Sequence, residues 1–294
     1  MKETTKKVNE SSPEKKKKSS GKSKYALRRL SLIVIVLIAV WWFNNYTLRT
    51  TEVTIRSDKI HKSVRIAVIS DLHATSHSIS NKRIVKRIKK ADPDMVVILG
   101  DMYTRGSTWD DIQIPVDLTA DLVGEELPVY FVTGEHDTEP DYIKAIKNTG
   151  AHVMNYESEI TYINGNKFQI MGIDNVYYSE TFDLRNEFTI EKDCFNILLA
   201  HIPNYEKFAD FGAELTLCAD THGGMMQLPF DKGPVYSSDY GWFPQLSLDE
   251  TVYDKGIFDY EGGVMFITSG IGDSPAPVRF NNRPEVAVID LVSD

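Results

Sequence analysis

Hydrophobic residues in this chain fall into short runs separated by polar loops, and the runs follow two periods. Residues 65–70 (RIAVIS), 95–99 (MVVIL) and 129–133 (VYFVT) are almost continuously apolar, as strands buried on both faces of a parallel sheet are. Between them lie segments 81–90 and 114–123, followed by a third near 141–148, where apolar residues recur every three or four positions and predict helices. Strands alternating with helices indicate βαβ units and a largely parallel sheet, preceded by an extended stretch at 52–56. From residue 151 onward strands are denser: 160–163, 168–173, 196–199, 215–218, 263–268 and 285–291, with one short helix near 204–209. This pattern predicts a four-layer α/β/β/α sandwich, two packed mixed sheets flanked by helices. Neither an internal repeat nor a linker breaks the pattern after residue 60.

One run obeys neither period. Residues 30–43 (LSLIVIVLIAVWWF) carry no charge and have no polar face. Fourteen helical residues rise about 21 Å, short of the ~30 Å hydrocarbon core, so a buried helix or a signal-peptide core competes with a membrane span. Arg28 and Arg29 on one side, Trp41, Trp42 and Phe43 on the other, and flanks at 25–27 and 44–48 that lengthen the run favour the span. No small-residue cleavage site follows it, which predicts an uncleaved signal anchor at 30–48 and one domain over 49–294. Arg28-Arg29 also raises twin-arginine export, although Leu30-Ser31-Leu32 fits that signal poorly.

Charge sharpens this division. Residues 1–29 hold 11 Lys+Arg against 3 Asp+Glu, a net +8, which leaves −17 on the rest of a chain whose total is −9. The basic stretch is too polar to bury a core and is expected to be a disordered cytoplasmic tail drawn to anionic headgroups. By the positive-inside rule the chain is then a single-pass protein of the cell membrane, with its domain outside the cytoplasm. An acidic domain argues against a nucleic-acid partner, which demands clustered Lys and Arg. Cys194 and Cys218 fall at opposite ends of neighbouring strands, too far apart for a disulfide.

Acids and histidines gather just after the apolar runs: Asp71-Leu72-His73, Gly100-Asp101, Gly134-Glu135-His136-Asp137, Ala200-His201 and Ala219-Asp220-Thr221-His222-Gly223-Gly224. In α/β sheets ligands bind beyond the carboxyl ends of strands, and these segments supply enough donors for two metal ions. Gly223-Gly224 permits a tight turn there. His61, His77 and His152 belong to no such segment. Tyr236, Tyr240, Trp242 and Phe243, in the long segment 225–260, are candidates for lining a lipid or sugar pocket, touching the bilayer, or simply pinning their own loop.

These segments, in this order, resemble the calcineurin-like metallophosphoesterases, whose pattern is Asp-x-His, Gly-Asp, Gly-Asn-His-Asp/Glu, Gly/Ala-His and Gly-His-x-His. The likeness spans about residues 50–292, and Ser269-Gly270-Ile271-Gly272 with residues 277–285 (PVRFNNRPE) resembles the membrane-anchored bacterial branch. The resemblance implies two divalent metal ions. Asp71, His73 and His222 would hold one, Asp101 would bridge, and Glu135, His201 and Asp220 would complete the other. It also implies hydrolysis of a phosphomonoester, phosphodiester or pyrophosphate by a metal-bound hydroxide, lipid-linked and envelope substrates included. His136 would be the proton donor, and Asp137 would fix its orientation.

Two positions depart from that pattern, Glu135 for Asn and Asp220 for His. Both place a carboxylate on the same metal, so Asp71, Asp101, Glu135 and Asp220 would set −4 against the +4 of two divalent ions and weaken attraction for an anionic substrate. The second site is then retuned toward Mn²⁺, Mg²⁺ or Fe³⁺, weakly filled, or lost. Both replacements can still coordinate metal, which favours retention; a non-catalytic metal-binding or sensor domain stays open as the alternative.

Overall fold

The computed structural model describes residues 20–174, 178–179, 181–230, 232–237, 241–247, 251–274 and 277–294. Two compact units divide the chain at residue 40. Helix α1 (Ser20–Tyr46) passes through that division, and its stretch Lys24–Tyr46 is long and apolar enough to cross a membrane, in the manner of a span or a signal sequence. Most of the expected basic tail, and Tyr240, lie outside the described residues.

Residues 41–294 contain the two mixed sheets and their flanking helices. Strand β1 (Arg49–Arg56) is followed by β2 (Val64–Ile69), α2 (Asn81–Ala91), β3 (Met95–Ile98), α3 (Trp109–Val123), β4 (Val129–Phe131), α4 (Pro140–Asn148) and β5 (His152–Val153). Then come β6 (Glu157–Ile163), β7 (Asn166–Ile173), β8 (Phe195–Ala200), α5 (Tyr205–Phe211) and β9 (Leu215–Cys218). A short hairpin, β10 (Tyr236–Ser237) and β11 (Gly241–Trp242), leads through α6 (Pro244–Ser247) to β12 (Gly256–Tyr260), β13 (Gly263–Ile267) and β14 (Glu285–Val292). One sheet has the order β1-β14-β2-β3-β4-β5, the other β12-β13-β9-β8-β7-β6.

Strand alternation builds the layers. On β3 and just beyond it, Met95, Val97 and Leu99 enter the cluster between the sheets with Ile170, Ile197 and Leu217, while Val96 and Ile98 turn outward to Ile84, Ile88 and Leu122 of the helices. A third cluster, with Met171, Leu198, Phe208 and Met265, covers the outer face of the second sheet. Burying each such aliphatic side chain contributes roughly 1.5–3 kcal/mol, so the inter-sheet layer and the helix-covered face of the first sheet both stabilise the fold substantially.

Three details differ from the pattern reading. Helix α3 starts at Trp109 rather than 114, because Thr108 caps it by accepting from the Asp111 N–H and Pro115 is tolerated inside it. Strand β14 returns to the first sheet, parallel to β1 and antiparallel to β2, since alternation tells which face is buried and not which sheet receives the strand. Within 225–260, β12 pairs with β13. Cys194, just before β8, and Cys218, at the end of β9, are both free and buried, as their position at opposite ends of parallel strands requires.

The carboxyl ends of β2, β3 and β4 are knitted together by close glycine contact and one acid. Gly100, at φ 86°, lies so near the next loop that a Cβ there would stand 2.2 Å from the Gly134 nitrogen. Asp137 accepts from the N–H groups of Asp101 (2.7 Å), Met102 (3.1 Å) and Gly134 (3.0 Å). Both its oxygens are therefore spent on backbone. Through these bonds it holds the two loops in register.

Gly100→Ala is expected to destabilise the fold by about 3 kcal/mol or more, through backbone overlap added to left-handed strain. Gly106→Ala, at a φ of 85° with nothing within 4 Å of the added Cβ, is expected to lose only about 1–2 kcal/mol. Thermal unfolding of the two variants side by side separates contact from strain. Asp137→Ala leaves buried N–H groups without an acceptor and is expected to lose about 2–4 kcal/mol in the same measurement.

Candidate metal centre

Five of the expected ligands have left-handed backbone: Asp71 (φ 48°), His73 (43°), Asp101 (51°), Asp220 (71°) and His222 (49°). Asp and His are among the residues that tolerate this region, yet each instance still costs about 1 kcal/mol or more. The surrounding loops hold them there. Asp71 N–H donates to Gly100 O at 2.9 Å and His73 N–H to Asp101 O at 3.1 Å, so the loops after β2 and β3 run on as neighbours beyond their strands. Ala219 N–H bonds His201 O at 2.9 Å in the second sheet, and Ile271 N–H bonds Ser70 O at 3.0 Å, which joins the two sheets at this edge.

Asp71 and Asp101 occupy the middle of the cluster. Asp71 Oδ1 stands 3.9 Å from both His201 Nε2 and His222 Nε2. Asp101 Oδ2 stands 3.3 Å from His201 Nε2, 3.9 Å from His73 Nε2 and 4.0 Å from His136 Nε2. Ligand atoms close enough for one ion occur in three groups: Asp71 with His73 and His222, Asp71 with Asp101 and His201, and Asp101 with Glu135 and His136. All the expected residues are thus brought to one place, with a different sharing. Asp71 as well as Asp101 lies between the two halves, and Glu135 stands by His136, Oε1 to Nε2 3.5 Å. Asp220 reaches the centre through Oδ1, 3.6 Å from His201 Nε2.

Of the eight buried side-chain atoms without a hydrogen-bond partner among the described residues, three belong to this cluster: Asp71 Oδ1, His73 Nε2 and His201 Nε2. Buried polar atoms are almost always satisfied, so orphans gathered around Asp71 fit cations. The other nitrogens are set for it. His201 Nδ1 bonds Leu99 O at 2.6 Å, which places its proton there and leaves the Nε2 lone pair free, and His73 Nδ1 pairs with Thr104 Oγ1 at 3.0 Å. Burial and neighbouring charge shift the titration of these groups. Burial pushes the Asp71 carboxyl up to about 7 and His73 down to about 4. Burial and then Arg279 hold His222 well below its usual range, hence neutral and able to ligate. Burial lowers His201 too, but the Asp101 and Asp220 carboxylates facing its Nε2 outweigh it and draw that imidazole well above its usual range, an attraction that a cation at the same point would replace.

Two arginines were not singled out from the sequence. Arg279, fully buried, donates to the carbonyls of Ser269 (2.8 Å) and Gly272 (2.7 Å) and lies 3.5 Å from His222 Nδ1. Its stretch PVRFNNRPE was visible as a family-like segment, but nothing local said that the guanidinium turns inward. Arg105 donates its N–H to His136 Nδ1 at 2.8 Å and its guanidinium to Glu135 O at 2.6 Å. Beside the centre lies a cavity of about 540 Å³, walled by Met225, Met226, Pro234, Val252 and Tyr253 and touching Asp220 and His222. Gly223 and Gly224, at φ 58° and 62°, make the expected turn under it. His61 and His77 are exposed, and His152 pairs with Glu159, away from the centre.

The sequence model of the calcineurin-like phosphoesterases matches residues 64–224. The uncharacterized metallophosphoesterase YkuE of Bacillus subtilis (strain 168) is 26% identical over 261 residues, covering 84% of this chain and 87% of its own length. Phosphodiesterase YaeI of Escherichia coli (strain K12) is 24% identical over 243 residues, 78% of this chain and 82% of its own. Among solved structures, TT1561 of Thermus thermophilus is similar at 12% identity and a TM-score of 0.45, over 71% of this chain and 90% of that one. With the family pattern matched across more than half its length and a cluster of buried Asp and His atoms poised for cations, the chain belongs to the calcineurin-like phosphoesterase family and is a metal-dependent phosphoric ester hydrolase.

Proposed function

We propose that Asp71, His73, Asp101 and His222 hold one divalent ion and Asp101, Glu135, His201 and Asp220 a second, and that His136 gives the leaving oxygen its proton. The orphaned Asp71 Oδ1, His73 Nε2 and His201 Nε2 carry this reading. Bound ions of this kind polarise phosphoryl oxygens and acidify water. The chain's own residues do the rest. His136 Nδ1 accepts the Arg105 N–H while Nε2 faces Asp101 and Glu135; to give a proton from Nε2 and end as neutral imidazole, the ring first takes a proton from water on Nδ1 in place of that bond. A proton held on Nε2 is positioned for a leaving alkoxide.

Arg105 and Arg279 bear on the charge balance. Four carboxylates cancel two divalent ions and Arg279 is paired with Asp273, so Arg105, whose guanidinium donates to Glu135 O, is the positive charge beside the centre that can attract an anionic phosphoester. This favours a working enzyme over the competing sensor reading, which rests on Glu135 and Asp220 alone. The apolar cavity wall favours an ester with an apolar arm, a lipid-linked phosphodiester or pyrophosphate of the envelope, handled by a domain anchored through α1 on the outer face of the cell membrane. Membership of the membrane-anchored bacterial branch is part of the same proposal.

Asp101→Asn is expected to reduce Mn²⁺-dependent hydrolysis of a chromogenic phosphodiester about a thousandfold, several kcal/mol of transition-state stabilisation. Metal analysis under excess Mn²⁺ should give two ions per chain; one would remove the second site from the reading. His136→Gln should slow release of an alkoxide about a hundredfold while barely affecting p-nitrophenolate, which needs no proton. If Glu135→Asn combined with Asp220→His creates turnover where the natural chain has none, the sensor reading replaces the enzyme.

A further inference from the structure

Residues 41–46, the end of α1 that belongs to the globular unit, are tied to the loop beside the metal centre. Trp41 Nε1 donates to Pro277 O at 2.7 Å. Asn45 exchanges bonds with the Arg279 main chain, at 3.2 Å to its carbonyl and 2.8 Å from its N–H. Asn44 Oδ1 accepts from Asn281 N–H at 2.8 Å, and the Arg283 guanidinium lies 4.4 Å from the centre of the Phe43 ring.

That loop is itself the first of several segments lying side by side. Phe280 bonds Met225 and Gln227 through its main chain, Val235 N–H bonds Met226 O at 2.8 Å, and β10 pairs with β11. At about 4.8 Å between neighbouring segments, the outermost lies roughly 15 Å from residues 279–281. Along this strap Phe230, Tyr236, Trp242, Leu246, Val278 and Phe280 are exposed, Phe230 by 92% and Trp242 by 65%. The Trp242 ring contacts Tyr236 at 5.3 Å and Phe243 at 6.1 Å. An apolar surface of this extent marks an interaction site.

We propose that this aromatic face rests in the interfacial layer of the bilayer that α1 enters. The proposal depends on α1 being a membrane span. The continuity decides the occupant: Trp41-Trp42-Phe43 ends an apolar run, as interface-anchoring residues do, and Trp41 is hydrogen-bonded to the segment that begins the face. The face has the same composition of ring and aliphatic side chains. With −17 on residues 30–294, attraction to anionic headgroups is not the driving force, so the contact is apolar and salt-insensitive. Met225, Met226 and Pro234, on the same strap, wall the cavity beside Asp220 and His222. Substrate therefore enters at the membrane surface, its apolar part remaining in lipid.

The test uses the full chain in phosphatidylcholine vesicles, with an environment-sensitive fluorophore attached singly at Trp242→Cys, Val278→Cys, Ile35→Cys or Tyr162→Cys. Tyr162 is exposed and lies at the end of the second sheet opposite the metal centre, while the native Cys194 and Cys218 are buried and escape labelling. Quenching by nitroxide-labelled phosphatidylcholine is compared with quenching by aqueous iodide. The expected result is blue-shifted emission and several-fold stronger lipid quenching at 242 and 278 than at 162, unchanged by high salt. If 242 and 278 behave like 162 while 35 is quenched from lipid, the anchor stands and the docked face is overturned. Iodide access at 35 instead removes the span and the proposal with it. Protection of 242 and 278 from both quenchers means that protein covers the face, which also overturns it.

Discussion

Two buried carboxylates that stand close together, Asp71 and Asp101, set the terms for this structure. Asp71 is wholly buried with one oxygen unpartnered, Asp101 is nearly so, and each faces the same histidine. Like charges in a dry site repel unless something positive lies between them. The left-handed backbone at five ligands, the contact of Gly100 with Gly134 and the three N–H groups on Asp137 all hold against that repulsion. Local strain of this kind gathers at functional sites, and the orphaned Asp and His atoms here are of the kind that could hold a cation.

The same edge explains why the centre needs both sheets. Asp71 and Asp101 come from one, His201, Asp220 and His222 from the other, and the loop 268–272 binds them where Ile271 and Gly272 bond the backbone of Ser70 and Asp71. Arg279 reinforces that junction from within: its guanidinium spans Ser269, Gly272 and His222 while its main chain is held by Asn45. The end of α1 and the metal centre are thus two bonds apart, so whatever fixes Trp41–Tyr46 also fixes the ligand loop.

Residue by residue, legibility followed the range of the determining interaction. Ile84 and Ile88 declared α2 through spacing alone, and the start of α3 was misplaced because Thr108 acts through a cap that a Pro seven residues on disguised. The ligand segments were visible because each follows its strand directly. Asp137 adjoins His136 in the chain, but the backbone groups it bonds include Asp101 and Met102, 36 and 35 positions away, which no local pattern announces. Arg105 and Arg279 carried no local signal, since an arginine's direction depends on which carbonyls the fold leaves open.

By itself the sequence determined the two periods, hence the strands and helices, the apolar N-terminal run, and which acids and histidines end at a strand's carboxyl edge, because alternation and turn chemistry are local. Only the tertiary structure decided that β14 crosses to the first sheet, that Asp71 is shared as widely as Asp101, and that two arginines stand by the carboxylates. These depend on which segments meet at distances from 30 positions, for Arg105 and Glu135, to more than two hundred, for β14 and β2, and burial and hydrogen-bond satisfaction settle that only in the assembled sheets.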